Sequence, residues 1–143
     1  MVVEDGLQQT TVIWLTHRLL VRVIDAMVKA IESETQGRPE SDTLQTFTQH
    51  RAQQAQVEES PVRAIEGSAE WLINRIDLNV SDERLTLKLF ADEECATLPM
   101  PRVNVRQWLH IMHRLFEVAE WHYEQWPSWL QQSLPLTQPA LVH

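Results

Sequence analysis

The chain has 143 residues, twelve Lys and Arg against twenty Asp and Glu, a formal charge of −8, an apolar fraction of 43% and a single cysteine. That length supports one domain with a real core, and that composition excludes wholesale disorder, a fibrous chain and a disulfide-stapled fold. The acidic balance argues for no nucleic-acid partner, because phosphate backbones are held by clustered Lys and Arg, and the densest cationic group, His17, Arg18 and Arg22, lies inside a strongly apolar element.

Met1 is followed by Val, Val, Glu, Asp and Gly, which lacks the basic start and apolar run of an export signal. The most apolar window, 12–31, is interrupted by His17, Arg18, Arg22, Asp25 and Lys29. It therefore cannot cross a bilayer, and the expectation is a cytoplasmic protein with no membrane partner. Within this region residues 10–16, TTVIWLT, favour a strand, whereas Leu19, Leu20, Val23, Ile24, Met27, Ala30 and Ile31 recur at helical spacing. The spacing predicts a strand running into a helix of about 17 residues with Thr16 as its N-cap, the alternative being one long helix from Thr10. Gly37 and Pro39 end the element.

Residues 36–62 are poor in apolar groups and rich in Gln, Thr, Ser and Glu. Two readings are open: a thin helix capped by Ser41 that docks weakly through Leu44, Phe47, Ala52 and Ala55, or a flexible connector. The glutamines suggest no chemistry. Further on, Ile76, Leu78 and Val80 alternate with Asp77 and Asn79, Ser81-Asp82-Glu83 intervene, and Leu85, Leu87 and Leu89 alternate with Thr86 and Lys88. This is a β-hairpin with one buried face, spanning about 71–91 if Trp71, Leu72 and Ile73 begin the first strand early. Residues 96–100 add an edge strand closed by Pro99 and Pro101. Cys95, the lone cysteine, reads as a small half-buried residue and fits a reducing compartment.

Asn104 is a good N-cap for a last helix that Pro127 stops. Val105, Trp108, Leu109, Met112, Leu115, Phe116, Ala119, Tyr123 and Trp126 fall within about 120° of arc at 100° per residue, a stripe wide enough to cover a sheet. Trp121 falls almost opposite Met112, on the side turned to water, with Arg106 on that polar side as well. Trp126, Trp129 and Leu130 continue beyond it, so a protein-binding surface of Trp121, Trp126, Trp129 and Leu130 is expected, unless the tail 131–143 folds back over Trp121.

For chemistry, His110, His113 and Glu117 share one strip of the last helix and carry donors suited to zinc or iron. The spacing departs from the HExxH metal motif, Ile111 and Met112 standing where it needs Glu and a turn. No glycine-rich phosphate loop and no nucleophile motif is present, the acidic runs at 58–59 and 92–94 read as solvated loops, and no cofactor is implied. The expected fold class is α+β, two-layer, with a small mainly antiparallel sheet centred on the hairpin and covered by the N- and C-terminal helices, in one globular domain over 1–130. The expected function is a non-catalytic accessory or adaptor protein of the bacterial-cytoplasm type, acting on another protein or on itself as a homodimer. The alternatives are a metal-dependent enzyme or metal-binding protein using the HxxHxxxE face, and a small-molecule-binding sensor domain.

Overall fold

The computed structural model describes residues 1–131, so the expectations for 132–143 lie outside the described residues. The fold class is α+β, with two small, mostly antiparallel three-stranded sheets where one was expected. The chain divides into two compact units, the first made of residues 1–23 and 57–100, the second of residues 24–56 and the chain from Pro101 onward.

In the first unit, β1 (Val2–Glu4) pairs antiparallel with β2 (Thr10–Trp14), and β2 pairs parallel with β3 (Ala69–Leu72). The second sheet has the order β4 (Arg75–Val80), β5 (Arg84–Ala91), β6 (Glu94–Pro101). The β4–β5 register sets Ile76 against Leu89, Leu78 against Leu87 and Val80 against Leu85. The apolar members of the alternation thus share one face, and Leu85, Leu87 and Leu89 are buried. Ser81 closes the turn: its N–H donates to the Arg84 carbonyl at 2.9 Å and its Oγ accepts from the Arg84 N–H at 3.3 Å. Across the two ends, the Arg75 guanidinium carbon stands 3.9 Å from the centre of the Phe90 ring, a cation–π pair in register.

Trp71 and Leu72 do not begin the hairpin; they belong to β3, in the other sheet. The Ile73 N–H donates to the Trp14 carbonyl at 3.0 Å, and the next N–H, of Asn74, donates to the Phe90 carbonyl at 2.9 Å, so the chain changes sheets between adjacent residues. The cause is parity. Trp71 and Ile73 are odd-numbered, Ile76 and Leu78 even, and a strand with period two cannot present both sets to one side. At the far end of the hairpin, Asp92 takes a positive φ of 54° in the turn from β5 to β6. Cys95, at the start of β6, is exposed, not half-buried, because it stands on the outer edge strand just past that turn.

Helix α1 (His17–Glu32) follows β2 directly. Thr16 caps it, its Oγ1 accepting from the Leu19 N–H at 3.2 Å. In the second unit Ile24, Met27, Val28 and Ile31 of α1 are buried, and a short 3-10 turn over Ser33–Thr35 leads to Gly37 at φ 80°. Residues 41–54 form helix α2 (Ser41–Gln54). Its inward face is Gln45, Gln49 and Ala52, at i, i+4 and i+7. Of the four residues expected to dock, Ala52 is buried and Leu44 half-buried, whereas Phe47, at 59%, and Ala55 are exposed. Ser41 is the first helical residue, not the cap; its hydroxyl meets the Thr35 hydroxyl at 2.6 Å.

Helix α3 (Arg102–Val118) starts two residues before Asn104 and ends well before Pro127. It closes in a Schellman arrangement: the Trp121 N–H donates to the Phe116 carbonyl at 2.9 Å, and the Glu120 N–H to the Glu117 carbonyl at 3.1 Å, with Glu120 in the left-handed region at φ 56°. A last short turn, α4 (Ser128–Gln131), packs on α2 and α3. Among the described residues no helix is long and apolar enough to cross a membrane.

Candidate functional site

The reversal after Val118 has an aromatic cause. On a continuing helix Tyr123 would lie seven residues beyond Phe116, about 10.5 Å along the axis. Instead the chain folds back, and Phe116, itself 2% exposed, takes edge-to-face contacts from Trp121 at 5.4 Å, Tyr123 at 6.3 Å and Trp126 at 5.3 Å. Trp126 also meets Tyr123 at 5.1 Å and the His113 ring at 5.0 Å. Offset and T-shaped contacts of this kind add to the gain from burial. Burial raises the Tyr123 hydroxyl pKa above its ordinary value, and the Asp25 carboxylate adds to that.

These contacts sort the four residues expected to bind a partner. Trp121 is 48% exposed, held at the end of α3 by its backbone bond to Phe116 and by ring contact, not projecting from the helix wall. Trp126 is half-buried in the aromatic cluster around Phe116. Trp129 is 2% exposed and Leu130 3%, so both are core side chains of the second unit and cannot serve as surface anchors. The reason is α4: the Leu130 and Gln131 N–H groups both donate to the Pro127 carbonyl, and the proline that was expected only to end a helix begins a new turn that tucks two apolar side chains inward.

In their place stands a surface missed in the sequence. Ile111 is 39% exposed, Leu115 51% and Val118 81%. At 100° per residue the three lie within about 60° of arc on α3. Leu115 had been expected in the core stripe. The buried sector is instead set by Val105, Leu109 and Phe116 together with Arg106, which turns Leu115 outward.

His110 and His113 are half-buried and Glu117 is exposed. His113 Nε2 lies 3.7 Å from Glu117 Oε1, one turn on, and its ring is packed against Trp126. Among the described residues no three His, Cys, Asp or Glu side chains are grouped so as to hold a metal ion. Burial lowers the His110 pKa below its ordinary 6.5, helped by Arg114 and His113 and opposed by Glu117.

The most concentrated polar chemistry lies at the start of α3. Arg106, expected in water, is 2% exposed. Its Nη2 donates to Gln45 Oε1 at 2.8 Å and to Glu34 Oε2 at 3.1 Å. Gln45 Nε2 donates to the Ile31 carbonyl at 3.0 Å and to Thr35 Oγ1 at 2.9 Å. Gln49 Nε2 donates to the Arg106 carbonyl at 3.0 Å and to Gln53 Oε1 at 3.0 Å. Arg102 Nη1 completes the set, donating to Glu34 Oε1 at 2.7 Å and to the Ala30 carbonyl at 3.3 Å. Desolvation lowers the Arg106 pKa and the Glu34 carboxylate opposes the shift; a guanidinium stays charged through such a change. Gln45, one of the glutamines that suggested nothing in the sequence, gives the buried cation a neutral acceptor that does not carry a second buried charge, whereas Gln49 holds the Arg106 backbone carbonyl.

Three buried polar atoms have no hydrogen-bond partner among the described residues: Gln49 Oε1, Arg106 Nη1 and Trp129 Nε1. The Trp129 ring lies 5.5 Å from the Arg106 guanidinium carbon, a cation–π contact that satisfies neither N–H. A cavity of about 320 Å³ adjoins this network, walled in part by Arg51, Arg102 and Arg106. The first unit has its own cavity of about 550 Å³, bordered by Trp71, Leu89 and Leu98 and by the carboxylates of Glu4, Asp5 and Glu94. Of these, Asp5 is engaged by its own loop, its Oδ1 accepting from the Leu7 and Gln9 N–H groups at 2.9 and 3.0 Å.

Comparison of the chain with known protein families, with curated proteins and with solved structures gave no match.

Proposed function

We propose that this chain is a non-catalytic adaptor that works through protein–protein contact, with Ile111, Leu115, Val118 and Trp121 as its contact surface and a second copy of the chain as the first occupant. The observation that carries this reading is the row of Ile111, Leu115 and Val118, 39 to 81% exposed, along one edge of α3, with Trp121, 48% exposed, in the closing turn beyond it. Large apolar side chains exposed along one helix edge of a small protein cost solubility and mark interaction sites. Trp121 suits the anchor role because its backbone bond and its contact with Phe116 already hold it in place, so little side-chain freedom is lost on binding.

The form of the row suits self-association. Residues 111, 115 and 118 repeat at i, i+4 and i+7, so two copies laid antiparallel about Leu115 bring Ile111 of each against Val118 of the other. A single exposed thiol fits a reducing compartment such as the cytoplasm.

Sedimentation velocity over a wide concentration range tests the proposal. The expected result is a species of twice the 16.7 kDa chain mass. Val118→Asp, at the most exposed position of the row, should give the single-chain mass with unchanged far-ultraviolet circular dichroism. A wild-type chain that sediments as a monomer at every concentration, or a Val118→Asp chain that dimerises as well as wild type, overturns the assignment.

A further inference from the structure

We propose that the cavity of the first unit binds a small organic cation, a protonated amine carried on an apolar body. The cavity, about 550 Å³, falls in the size range of small-molecule sites. One wall is a single face of the β1–β2–β3 sheet. Val3, Thr11 and Ala69 stand in one cross-strand row of that face and Ile13 and Trp71 in the next, all odd-numbered, as strand parity requires. The other wall comes from the second sheet, through Leu89 of β5 and through Ala96 and Leu98 of β6. Two inner sheet faces ordinarily close on each other as a core. Here a cavity separates them, and it runs from the buried Ile13 and Leu89 out to the exposed Glu4, Asp5 and Glu94.

The walls and the border together select the ligand. Glu4, Asp5 and Glu94 border the cavity, and among the described residues no Lys, Arg or His does. The Met1 ammonium, which donates to the Ile13 carbonyl at 3.0 Å, is not among the bordering residues either. Neither Glu4 nor Glu94 is in an ion pair among the described residues. Glu94 is even-numbered like Ala96 and Leu98, so its side chain leaves β6 on the side of the cavity wall. A carboxylate beside an apolar wall is less screened than one in open water, and it attracts a cation the more strongly. Trp71 adds a second attraction, because an indole is the best aromatic partner of an ammonium group. A bare metal ion gains nothing from Ile13, Leu89 and Leu98, and no three ligating side chains among the described residues are grouped to hold one. An amine on an apolar body uses both the carboxylate and the wall.

Calorimetric titration of the full chain at neutral pH with phenethylamine, phenethyl alcohol and phenylpropionate tests the site, because the three share one apolar body and differ in charge. Phenethylamine should bind saturably with a Kd of about 1 mM or tighter, the alcohol about tenfold more weakly and phenylpropionate not measurably. Glu94 is exposed, so Glu94→Gln should fold normally and weaken the amine about tenfold, the loss of one charge-assisted contact, while leaving the alcohol unchanged. Ala69→Phe, which fills the cavity from an exposed strand position, should abolish binding of amine and alcohol alike with the circular dichroism spectrum unchanged. Equal affinity for amine, alcohol and acid, no saturable amine binding below about 10 mM, or an amine affinity untouched in either variant overturns the proposal. The dimer mass is a separate readout, so this test and that of the contact surface fail independently.

Discussion

Replacing Gln45 gives the strongest check on the buried polar network. Gln45 is 1% exposed and makes three side-chain hydrogen bonds, to the Ile31 carbonyl, Thr35 Oγ1 and Arg106 Nη2. The two neutral bonds are worth about 1 kcal/mol each and the bond to the guanidinium about 1.5–3 kcal/mol. Gln45→Leu keeps the bulk and removes all three, so it should cost about 3.5–5 kcal/mol, much of it from leaving a buried charge one acceptor short. Gln45→Ala adds the cost of a cavity, about 1 kcal/mol or more. Urea denaturation followed by circular dichroism reads this directly: with a slope of about 2 kcal/mol per molar, the Gln45→Leu midpoint should fall by about 2 M. A midpoint within about 0.3 M of wild type would falsify the reasoning, because it would mean that Arg106 finds another acceptor at no cost.

Two further outcomes follow from single positions. Glu120 holds a left-handed backbone at φ 56° with an exposed side chain, so Glu120→Gly should raise stability by about 0.5–1 kcal/mol once the extra freedom of glycine in the unfolded chain is counted. A lower melting temperature in that variant would show that the closing turn is not strained. His110 has a pKa below 6.5 in the folded chain, so the unfolded chain binds the more protons in the window just below that value, and stability should decline as pH falls from about 6.5 downward. Subtracting the pH profile of His110→Gln from that of wild type isolates this group, and a difference that is flat from pH 7.5 to below 5 would contradict the depressed pKa.

What was legible in the sequence was local and periodic. The alternation of Ile76, Leu78 and Val80 with polar residues, and of Leu85, Leu87 and Leu89 after it, led to the hairpin because side-chain period two is a property of the strand itself. Thr16 before a helical repeat marked a cap for the same reason. The closing helix was overrun because Tyr123 and Trp126 keep helical spacing, and helical spacing cannot distinguish a helix that continues from a chain that turns back onto Phe116. No glycine or asparagine marks that turn; Glu120 takes the left-handed backbone because the aromatic contacts beyond it outweigh its cost.

The placement of charge was decided by tertiary structure alone. By type, Arg106 belongs in water and Trp129 is an equally good surface anchor or core residue. Arg106 is buried because residues distant in sequence, Glu34 and Gln45, bring acceptors to it, and Trp129 is buried because α4 lays it against α2 and α3. Periodicity is a property of neighbouring residues and is written along the chain, whereas the balance between desolvation and pairing belongs to groups that meet only after folding.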